Sequence, residues 1–69
     1  MIASAENKQH YLTELAHATD DLIAARDRLR ILANEMQHDE PAAAAFVRLS
    51  ASEVLDVLDS IATTEGLLA

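Results

Sequence analysis

The sequence predicts an all-α protein: a parallel two-stranded coiled-coil homodimer with a short helix from each chain docked on its side. Three observations lead there. The 69 residues include 14 Ala and 10 Leu but only one Gly and one Pro, a composition that suits helices and supplies little for turns. Large apolar residues recur every seven positions through the first half of the chain. The chain also has little material for a core of its own. Ordering costs ~1.5 kcal/mol per residue, on the order of 100 kcal/mol in all, and so small a body offsets little of it. Without Cys there is neither a disulfide nor a thiolate metal site to help. Association with a second copy is the remaining support.

Residues 6–38 contain no Pro or Gly and are compatible with one helix. Within them Leu15, Leu22, Leu29 and Met36 are spaced by seven, with Tyr11, Ala18, Ala25 and Leu32 at the complementary positions. Assigned to a and d of a heptad, these eight residues form the expected dimer seam. In a parallel pair Asp21 meets Arg26 of the other copy, and no like charges oppose each other. The alternative is that the stripe packs on the chain's own second helix as a hairpin core. Residues 1–40 thus form the first element.

Asp39-Glu40-Pro41 interrupts it, because the residue before Pro is pushed out of the α region while Pro suits a first helical turn. Residues 41–49, with the Ala42–Ala45 run, read as a linker or short helix. Ser50-Ala-Ser-Glu53 fits a capping box, with Ser52 as a competing N-cap, and starts a helical element over 50–69. That helix is expected to reach about Glu65, with Gly66 as its C′ residue.

A second stripe lies beside the seam: Leu12, Ala16, Thr19 and Ile23, continuing through Arg26 and Arg30. A two-stranded coiled coil leaves such positions uncovered, so a further helix is expected on this groove. The C-terminal element offers Val54, Leu55, Leu58 and Ile61 at helical spacing, flanked by Glu53, Asp56 and Asp59. Charge is divided to match. The chain carries −7 overall, of which residues 39–69 hold −5, whereas three of its five basic residues lie in Arg26–Arg30. Asp56 and Asp59 are therefore expected to face the Arg cluster. Exposed ion pairs are worth only ~0–1 kcal/mol each, so their expected role is partner selection.

Other function classes find little support. An acidic chain with 3% aromatic residues is a poor nucleic-acid binder. No apolar run approaches the ~18 residues of a membrane span, and Met1–Ala5 is too short for a signal peptide, so a cytoplasmic location is expected. Glu14–His17 and Glu35–His38 have the spacing of di-iron ligands, yet they sit ~31 Å apart on one helix and cannot share a metal within a chain. His38-Asp39-Glu40-Pro41 is superficially similar to the phosphoacceptor turn of histidine kinases, but it lies at a helix end among acids. No nucleophile–base set or Gly-rich phosphate loop is present. The expectation is a non-catalytic module without cofactor, metal or small-molecule substrate.

Lys8, Tyr11-Leu12, Asp21-Leu22, the block Ala25-Arg26-Asp27-Arg28-Leu29-Arg30 and Glu40-Pro41 follow one another in an order that resembles the N-terminal docking domain of modular type I polyketide synthases. In place of the ketosynthase strand that would follow Glu-Pro, Ser50 to Asp59 look like the acidic-apolar C-terminal docking tail of an upstream subunit. The resemblance implies that two elements which cap different polypeptides are joined here, as in a fusion of the two. It also implies a parallel homodimeric coiled coil whose sides take the C-terminal helices, with the termini of synthase subunits as partners. The implied function is specific subunit recognition in antibiotic-type biosynthesis. A stand-alone helical hairpin acting as a regulatory binding protein is the alternative.

Overall fold

The computed structural model describes the backbone of residues 2–69 and the side chains of residues 6–69. It is all-helical and contains two helices, α1 (Ile2–Met36) and α2 (Pro41–Leu68). A tight turn reverses the chain between them. The helices pack along their lengths into a rod of 57 × 15 × 11 Å.

The turn is made without Gly, and no described residue has a positive φ. The Glu40 amide donates to the Met36 carbonyl at 2.8 Å, closing the last turn of α1. The Glu40 carbonyl then accepts from the Ala44 amide at 2.9 Å, so Glu40 is the N-cap residue of α2. Its φ of −137° is non-helical, as the residue before a proline requires, and Pro41 occupies the first turn, where its missing N–H is no loss. The break expected at Asp39-Glu40-Pro41 therefore marks the boundary between the helices.

Two expectations about α2 are corrected. The helix begins at Pro41 and passes through residues 41–49 without interruption. Ser50 and Ser52 consequently cap nothing: their hydroxyls donate back to the carbonyls of Phe46 and Arg48 at 3.1 and 3.2 Å, a bond Ser makes inside a helix when no free N–H is within reach. The helix also runs past Gly66 to Leu68, with the Ala69 amide bonded to the Glu65 carbonyl at 3.0 Å.

The seam follows a regular alternation. On α1, Leu12, Leu15, Thr19, Leu22, Arg26, Leu29, Ala33 and Met36 are at least half-buried, at spacings of three and four. On α2 the matching set is Ala44, Val47, Ala51, Val54, Leu58, Ile61, Glu65 and Leu68. Both are heptad patterns, the spacing that keeps one side of a helix against a neighbour. Counting equal rises from the turn sets Ala33 level with Ala44, Arg26 with Ala51, Thr19 with Leu58 and Leu12 with Glu65. Among the described residues only Ala33, Ala44 and Ala51 are buried outright, at 0%, 0% and 4% exposure, and no large side chain is. The small methyls let the helices approach closely near the turn.

Candidate functional site

One side of the seam holds an open cleft of about 350 Å³, lined by Arg26, Arg30 and Asn34 of α1 and by Arg48, Ala51, Ser52 and Leu55 of α2. The α1 residues recur every four positions and so share one flank of the helix. Arg26 sits in the seam itself, level with Ala51, whose short side chain leaves room for the Arg stem. The guanidinium reaches outward to Asp27, with Nε and Nη2 at 3.3 and 3.1 Å from Oδ1. An aliphatic stem against apolar surface with its head in water is the usual compromise for Arg. From the facing helix Arg48 donates to the side-chain oxygens of Gln37 and Asn34, fastening the two helices near the turn.

The groove residues divide between seam and surface. Leu12, Thr19, Ile23 and Arg26 are half-buried, while Ala16 and Arg30 are exposed. Val54, Leu58 and Ile61 face inward, and Leu55 is 45% exposed on the cleft wall. The Leu15, Leu22, Leu29 and Met36 row is half-buried, and of the complementary row Ala18 is half-buried whereas Tyr11, Ala25 and Leu32 are exposed.

Within one chain Asp56 and Asp59 do not pair with the Arg cluster. Among the described residues the sole ion pair is Arg26–Asp27, and Glu53, Asp56 and Asp59 are all exposed. The reason is helical phase and level. With Val54, Leu58 and Ile61 in the seam, Asp56 points nearly away from α1, at ~100° per residue. Asp59 falls level with Ala18, about 12 Å along the axis from Arg26.

Asn34, Arg48 and Ser52 also belong to this cleft, outside the groove that the sequence pattern indicates. Arg48 was legible as the lone base among residues 39–69. Its role was hidden because a helix starting at Ser50 would leave it outside. The histidines His10, His17 and His38 and their neighbours Glu14 and Glu35 are exposed, and among the described residues no three His, Asp or Glu side chains converge. No helix among the described residues is long and apolar enough to cross a membrane. No family model, curated protein or solved structure matches the chain.

Proposed function

We propose that this chain is a non-catalytic protein–protein docking module, and that it orders subunits in a modular polyketide synthase as a homodimer. One observation carries the reading. Three of the five basic residues of a −7 chain border a single cleft, and none of the three pairs with an acid of α2. Like charges brought together repel, so the arrangement suits a partner that supplies carboxylates, and an apolar wall at Leu55 and Ala51 suits an amphipathic helix. The seating of α2 along Leu12, Thr19 and Ile23 is in keeping with a C-terminal docking helix lying against an N-terminal coiled-coil element. The hairpin regulator remains the second reading, and the unbroken run of α2 through residues 41–49 favours it, because it leaves no linker between two separate docking elements.

The test is a graft. Fusing the chain between two synthase subunits that do not otherwise communicate is expected to raise acyl transfer between them by about tenfold or more, and Arg26→Glu with Arg30→Glu is expected to remove most of that gain. Transfer that is unchanged by the graft would sink the synthase reading. Transfer that rises but ignores the charge reversal would sink the cleft as its determinant.

A further inference from the structure

We infer that a second copy of this chain covers the hairpin flank opposite the arginine cleft, giving a four-helix bundle in which α1 of each copy lies beside α2 of the other. This deepens the homodimer of the docking reading and rests on that reading for the stoichiometry alone.

The flank is apolar and open. Leu32 is 44% exposed, Phe46 72%, Tyr11 50% and Val57 46%. At ~100° per residue all four lie to the same side of their seams, away from Arg26, Arg30 and Arg48, so the two helices build one continuous surface. Seam residues such as Leu22, Leu29, Val54 and Ile61 remain only half-buried within the hairpin. A body seated on this flank completes their burial.

The area matches a partner of this size. A compact monomer of 7.5 kDa exposes about 4,250 Å² by the scaling of surface with mass. This chain exposes 5161 Å². The excess, about 900 Å², is close to the ~800 Å² that each partner contributes to a stable interface. A hairpin in which, among the described residues, only alanines are fully enclosed has the corresponding shortfall inside.

The flank also complements itself, as a two-fold interface must. With both turns at the same end, Phe46 of one copy falls level with Leu32 of the other. Val57 falls between the facing Ala18 and Ala25, and Tyr11 falls between the levels of Thr64 and Leu68. Reversing one copy instead sets Val57 against the other's Glu53 and brings the two Asp21 side chains together near the middle, whereas with the turns together Asp21 lies at the rim about one helical turn from the other's Glu53. In neither arrangement do Leu15, Leu22, Leu29 and Met36 form a private α1–α1 seam, because they already face α2.

Sedimentation equilibrium on the full chain is expected to return twice the 7.5 kDa chain mass. Phe46→Asp, at a site the hairpin itself leaves exposed, is expected to weaken the dimer by about tenfold or more. Leu49→Asp, on the outer side of α2, is expected to leave it unchanged. Should Phe46→Asp fail to fold, cross-linking decides. Ala18→Cys mixed with Val57→Cys is expected to give the mixed disulfide, and neither variant alone should form one readily. A monomer, or an Ala18→Cys chain that oxidises efficiently with itself, overturns the inference. A monomer whose graft still directs transfer overturns this inference and the homodimer together, and keeps docking by a single chain. A cross-linked dimer whose graft has no effect does the reverse.

Discussion

The two ends of the hairpin are built differently. Near the turn, Ala33, Ala44 and Ala51 are enclosed, and Arg48 ties α2 to Gln37 and Asn34. At the far end the seam consists of larger residues, Leu12, Leu15, Leu58, Ile61 and Leu68, none fully covered, and Glu65 sits among them half-buried. Small side chains bring the backbones together and shield each other. Large ones hold the helices apart and leave their own edges wet. The contrast teaches that a two-helix rod is closed most completely where its packing residues are smallest, and that the remainder awaits a further layer.

This contrast can be broken by mutation. Ala44→Leu is expected to have the largest effect, a loss of about 2–3 kcal/mol in urea unfolding, because there is no space between the backbones for three more carbons. The same change at exposed Ala62 should be near neutral, and equal losses at both would dissolve the distinction. Leu58→Ala is expected to lower stability by about 1–2 kcal/mol, less than for an enclosed Leu, since part of its surface is already hydrated. Glu65→Leu should raise stability by about 0.5–1 kcal/mol by placing an apolar group in the seam opposite Leu12. Unchanged or lowered stability would mean that Glu65 does not belong to the seam. Arg48→Ala should cost about 0.5–1 kcal/mol, the scale of exposed hydrogen bonds. Amide exchange should sharpen the comparison without mutation, with protection strongest around Ala33 and Ala44 and falling toward the far end. Uniform protection would contradict it.

Much of this was legible in advance, for identifiable reasons. The helical class follows from Ala and Leu content, and the break at Glu40-Pro41 from the steric conflict ahead of proline. The start of α2 is not legible in the sequence, because Ser50 and Glu53 satisfy a capping box in the abstract, whereas a helix already running from Pro41 leaves no free amide for Ser50 to cap. The acidic face of α2 is legible as a cluster, but its direction within the hairpin is not. Asp56 and Asp59 follow from composition, while where they point depends on which residues of α2 enter the seam.

The sequence alone determined that the chain would be helical, would turn at residues 39–41 and would carry a row of Leu15, Leu22, Leu29 and Met36. It did not determine which neighbour that row would meet. Tyr11, Ala18, Ala25 and Leu32 lie to one side of it, and Leu12, Thr19, Arg26 and Ala33 to the other. Either set completes a heptad with the same leucines, so periodicity is silent between them. The tertiary structure made the choice. The short turn returns α2 alongside α1, and Ala33, Ala44 and Ala51 allow the closest approach on the side of Leu12, Thr19 and Arg26. The Arg cleft forms on that side, at the edge of the seam, and Tyr11 and Leu32 remain on the outside.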